Sequence, residues 1–190
     1  MIKTLIYLLI IMFIGACNET YTPKPRGYYR INLPKKNYHL FDSLFPYKFE
    51  YPDYCKIEID TLPQAQPYWI NLHFGAMKGT LHISYKKLKE NFGQCTEDAR
   101  TLVYKHTVKA DDIQEKRIEY PDKQVFGIGY EISGNAASSY QFFLSDSSKN
   151  FLRGALYFNS TPNIDSIEPV LKFVKEDIDH FIKTFEWKDI

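Results

Sequence analysis

Cys17 ends a segment built for cleavage and acylation. Leu5 to Ile14 is apolar, Lys3 is the cation ahead of it, and Gly15 and Ala16 put two small residues directly before the thiol. In a bacterial lipobox, signal peptidase II cuts before such a cysteine. Acyl chains are then added to its sulfur and its new amino terminus. The apolar run is about half the roughly twenty residues that a spanning helix needs, so it reads as the h-region of a secretory signal. The acyl groups would tie the mature chain to a membrane surface, at about 0.8 kcal/mol per buried CH2. The alternative is an ordinary signal in which Cys17 is incidental.

Two further pairs have types that can do chemistry. Cys55 and Cys95 remain after lipidation, and an exported chain sits where a disulfide is permitted. They are candidates for a bridge, or else two separate buried thiols. Neither has a CxxC partner or a His at zinc-ligand spacing. His73 and His82 flank a predicted hairpin. Centring its loop on Met77-Lys78 sets them opposite each other, with Cβ atoms about 5 Å apart. That pair is a weak metal candidate, because no third or fourth ligand is near it in sequence. The other readings are a pH-sensitive pair and an ordinary polar face that also carries Trp69, Asn71, Thr80 and Ser84. No GxSxG, HExxH, P-loop or GxGxxG motif is present. The chain is therefore read as not an enzyme, with no cofactor.

The elements that must position these residues are mostly strands. Residues 47–51 and 56–60 alternate apolar and charged. Tyr68, Ile70, Leu72 and Phe74 line one face of a third strand, and Leu81, Ile83 and Tyr85 one face of a fourth. Leu88, Phe92, Cys95, Ala99 and Leu102 then recur at helical spacing. Strands follow over 113–120, 124–133, 140–144 and 151–158. Gly127 and Gly129 share one strand face, where something should pack closely. Ile167, Leu171, Val174, Ile178, Phe181 and Phe185 mark a closing helix over about 165–185, with Pro169 placed in its first turn. Its exposed face is expected to carry Lys172–Glu176 and Lys175–Asp179 pairs. Strands, helix, strands, helix, joined by hairpins, is an α+β pattern: an antiparallel β-sheet covered by helices. It resembles the PsbP/Mog1-like sandwiches, which end in a similar helix.

The length suits one globular domain, here 37–190, preceded by a signal peptide over 1–16 and a Pro-rich tether over 17–36. Losing the signal leaves 23 cations against 23 carboxylates. No basic field exists to attract nucleic acid or anionic lipid. The 15 Tyr and 14 Phe supply ample core. In the tether, Arg26, Tyr28, Tyr29 and Arg30 are types enriched at binding hot spots, on a Pro-restricted backbone. They are candidates for partner binding, the alternative being that they pack on their own domain.

One likeness spans nearly the whole chain. The lipobox is followed by Pro23-Lys-Pro-Arg-Gly-Tyr-Tyr-Arg-Ile-Asn-Leu-Pro34. Then come Gly134-Asn-Ala-Ala-Ser-Ser-Tyr-Gln-Phe-Phe-Leu-Ser-Asp146 and Phe151-Leu-Arg-Gly-Ala-Leu-Tyr-Phe-Asn159. Glu176-Asp-Ile-Asp-His-Phe-Ile182 and Phe185-Glu-Trp187 close the set. Together they resemble the gliding motility lipoprotein GldD family of Bacteroidetes. The resemblance implies a part in surface gliding and the associated type IX protein secretion, partners within that machinery, and no catalytic residues. Asn18-Glu19-Thr20 carries a single acid, which favours the outer membrane, facing the periplasm, over surface export. Two other classes remain. A periplasmic small-ligand-binding lipoprotein would need an apolar pocket, which Trp69, Tyr130 and Tyr140 could line. A hydrolase would need a nucleophile–base pair, and none is evident.

Overall fold

The computed structural model describes residues 31–159 and 164–189. Asn32–Ile190 forms one compact unit. Among the described residues its strands are β1 (Tyr38–Phe41), β2 (Tyr47–Pro52), β3 (Lys56–Ile59), β4 (Ile70–His73), β5 (Gly79–Lys87), β6 (Ala110–Tyr120), β7 (Val125–Gly134), β8 (Ser138–Ser145), β9 (Asn150–Phe158) and β10 (Glu186–Trp187). The helices are α1 (Phe92–Tyr104) and α2 (Ile164–Thr184). β3-β4-β5-β9-β8-β7-β6 form a seven-stranded antiparallel sheet, and β1-β2-β10 a second sheet. The fold is α+β, as the pattern of periods predicts.

Residue parity sorts the two faces of the large sheet. Leu72, Leu81, Ile83, Tyr140, Phe142, Leu144, Leu152 and Leu156 share one face. They pack with Val174, Ile178, Phe181 and Phe185 of α2 and with Tyr47 and Phe49 of β2. Ring centroids of Phe49 and Phe181 are 4.3 Å apart, and those of Tyr47 and Phe185 5.9 Å. On the other face Tyr130, Ile132, Phe143 and Phe151 pack with Cys95, Ala99 and Val103 of α1. The closeness expected over the β7 glycines is present. A Cβ at Gly129 would meet the Tyr140 hydroxyl at 2.5 Å.

Several boundaries differ from the sequence reading. α1 starts at Phe92, not Leu88, because Glu90 is left-handed (φ 58°) and Asn91 Oδ1 accepts the Lys89 N–H at 2.9 Å. Gly93 therefore falls in the first turn of α1. Pro169 lies inside α2, beyond its first turn. β1 and β10 are too short to show a period. They are held by aromatic contacts, such as Phe41 on Phe49 and Phe185 on Trp187, at 4.9 and 4.7 Å. Among the described residues no helix is long and apolar enough to cross a membrane.

Candidate functional site

The β4–β5 hairpin corrects the histidine pair. A 3-10 turn over Gly75–Met77 and a left-handed Lys78 (φ 53°) close the loop, and the Phe74 N–H donates to Gly79 O at 2.8 Å. Turn geometry sets hairpin register. Asn71 therefore pairs with His82, and His73 with Thr80. The displacement is even, so both histidines keep their expected face but are diagonal, not opposed. His82 Nδ1 meets Asn71 Oδ1 at 2.6 Å, and His73 Nδ1 meets Thr80 Oγ1 at 3.1 Å. Among the described residues no group of three or more His, Cys, Asp and Glu is placed to hold a metal ion.

Thr80, His73 and Glu58 are connected in the order of a hydroxyl–imidazole–carboxylate relay, with His73 Nε2 3.4 Å from Glu58 Oε2. Catalysis of acyl transfer would also need N–H donors aimed at an oxyanion. Here β4 and β5 each lie between two neighbouring strands, so their backbone N–H groups serve the sheet. His73 and Glu58 are also well exposed, where ion pairs contribute little. The group reads as a polar sheet face.

Beside it lies a pair that sequence reasoning missed. Gln141 on β8 and Arg153 on β9 project to the α1 side, and Arg153 Nη2 donates to Gln141 Oε1 at 2.5 Å. Gln141 is 1% exposed, and its Nε2 and Arg153 Nε are buried without partners. Burial holds the Arg153 guanidinium below its ordinary range. His106 and His82 are held low by burial first, and Arg153 adds to the effect on both. The signal was a Gln and an Arg inside two otherwise apolar strands. The β8–β9 ladder brings them together, with Gln141 opposite Ala155 and Arg153 opposite Phe143.

The base of the tether is anchored by a second missed residue. Asp177 is 2% exposed. Its carboxylate accepts from Lys36 Nζ at 2.8 Å, Tyr38 Oη at 2.9 Å and Tyr54 Oη at 2.6 Å. Lys36 Nζ also donates to Phe173 O at 2.7 Å and lies 4.0 Å from the Phe173 ring centroid. Burial, then the bond to Asp177, raises the phenols of Tyr38 and Tyr54, so both remain donors. Tyr38 stacks on His180 at 3.7 Å, and His180 Nε2 meets Glu50 Oε2 at 2.6 Å. Glu176 faces Lys36 at 3.2 Å instead of pairing with Lys172, while Lys175–Asp179 is present at 3.8 Å. Lys36, read as the last residue of the tether, is thus bonded to α2.

The cysteine bridge is not formed. Cys55 and Cys95 are free and buried, in two clusters on opposite faces of the sheet. Burial, then Asp177, pushes the Cys55 thiol up to about 12, leaving almost no thiolate near neutrality. Thiol labelling of unreduced protein should find both groups, slowly when native and at once in denaturant. A titre of zero after denaturation without reductant would contradict this placement.

A family model for the gliding motility lipoprotein GldD matches residues 18–187. The chain belongs to the GldD family of gliding motility lipoproteins. No curated protein matches it. Among solved structures it is similar to the solution structure of cyanobacterial PsbP (CyanoP) from Synechocystis, with a TM-score of 0.52 and 9% identity. That likeness covers 84% of this chain and 98% of the other, and it concerns the fold alone. It agrees with the sandwich read from the element order.

GldD membership associates the chain with the cell envelope and the gliding machinery. Cys17, Arg26, Tyr28, Tyr29 and Arg30 lie outside the described residues. Trp69, Tyr130 and Tyr140 do not line one pocket. Tyr130 and Tyr140 are buried in the two different clusters, while Trp69 donates its Nε1 hydrogen to Tyr85 O at 2.8 Å.

Proposed function

We propose that the chain is a non-catalytic scaffold of the gliding machinery and of the associated type IX protein secretion. Acyl chains on Cys17 hold it on the periplasmic side of the outer membrane. Other proteins of the machinery contact it through Arg26, Tyr28, Tyr29 and Arg30. The observation that carries this reading is the family match from residue 18 to 187, which takes in both tether and domain. The Asp177 anchor is compatible with it: Lys36 and Tyr38, which follow that stretch in sequence, are bonded to a buried carboxylate on α2.

Replacing Tyr28, Tyr29 and Arg30 with Ala is expected to abolish colony spreading and type IX secretion, with Tm unchanged. A large fall in Tm would make the stretch part of the fold instead. Full spreading and secretion with normal Tm would remove it as the contact.

A further inference from the structure

At the end of the sandwich where β2 begins, the surface forms a cleft of about 710 Å³, within the range of small-ligand sites. Pro67, Tyr68 and Tyr85 supply apolar and aromatic surface, and Lys86, Lys87, Lys149 and Lys188 surround it. Lys188 is bonded to Asp42 and to Ser43 O. Among the described residues, none of the other three ammonium groups has an ion-pair partner. Asp189 is the single carboxylate in the lining. In a chain with balanced overall charge, this is a local excess of cations in a concave site.

The aromatic wall is held at a cost. Tyr68 has φ 69°, a left-handed conformation that is unfavourable for a bulky side chain. The buried Tyr47 hydroxyl donates to Tyr68 O at 2.5 Å, which fixes that backbone. The Tyr68 ring then stands edge-on to Tyr85, with centroids 5.7 Å apart at 82°. Strain of this kind persists where the surroundings over-determine it, commonly at binding sites. Tyr85 Oη is already bonded to Asn150 Oδ1. The Tyr68 hydroxyl and the Gln66 amide are unengaged among the described residues and border the same cleft.

We propose that this cleft binds a phosphorylated sugar. Lysine ammonium groups act on phosphate as point charges, and Lys86, Lys87 and Lys149 bring three of them to the rim of this cleft. The half-buried Tyr68 ring, backed by the buried Tyr85, suits the apolar side of a sugar ring, and the free phenol and amide suit its hydroxyls. The same headgroup chemistry occurs on a soluble sugar phosphate and on a lipid.

Calorimetric titration of the full chain, purified in neutral detergent, tests this with glucose 1-phosphate. Saturable binding is expected, at least tenfold tighter than for glucose or inorganic phosphate. Lys149→Glu and Lys87→Glu alter exposed side chains, and each should weaken it at least tenfold with Tm unchanged. Tyr68→Asn, which tolerates the left-handed backbone, should weaken it too. Competition by phosphatidylinositol in the same detergent would support a lipid source, and binding without competition a soluble one. The proposal is overturned by an absence of saturable heat or by inorganic phosphate binding equally well. It is also overturned by indifference to charge reversal, or by hexaglutamate binding equally well, which would indicate an acidic protein partner.

Discussion

Asp177→Ala is expected to lower Tm by about 10 °C. The carboxylate is buried and receives one ammonium and two phenols, at 2.6–2.9 Å. Removing one member of such a group typically costs about 3–5 kcal/mol, because the others are left buried and unpaired. For a domain of this size each kcal/mol is worth roughly 2–4 °C. Lys36 would keep Phe173 O and Glu176, which moderates the loss. Asp177→Asn keeps an acceptor and loses the charge, so its cost should fall between Ala and wild type. Thermal unfolding followed by circular dichroism measures all three. An unchanged Tm for Asp177→Ala would mean that the anchor contributes nothing to folding.

Gly127→Ala should be comparably damaging, for a steric reason. A Cβ there would stand 1.9 Å from the Phe143 carbonyl oxygen on the neighbouring strand β8. That atom belongs to the backbone of a central strand, so relief requires moving β8 away from β7. Overpacking of this kind costs about 1–3 kcal/mol when side chains yield, and here the strand itself must yield. Gly93→Ala is the matched contrast. Its Cβ meets nothing within 4 Å, in the first turn of a helix. It should raise stability by about 0.4–1 kcal/mol through the unfolded chain. Denaturant midpoints moving in the same direction for both variants would contradict this pair.

The alternation of the central strands and the stripe on α2 were legible because each element repeats its own period. The Gly127 and Gly129 signal likewise required only the parity of one strand. Register was less legible. His73 and His82 share a face by parity, but their pairing depended on a left-handed Lys78 that nothing in its type announces. The Asp177 anchor joins residues far apart in sequence. Its trace was a carboxylate at the position three after Val174 and four before Phe181, on the apolar stripe itself. The cysteines misled because the facing of each element was readable while the face of the sheet each element covers was not. Lys86, Lys87, Lys149 and Tyr68 come from three loops and strand ends, and only the fold gathers them around one cleft.

The most direct measurement of the scaffold role is deletion of the gene, read by colony spreading and by secretion of type IX cargo. Both should be lost. Both should return with the wild-type chain and not with Cys17→Ser, which removes the site of acylation. Intact spreading and intact secretion in the deletion strain would contradict a role in that machinery.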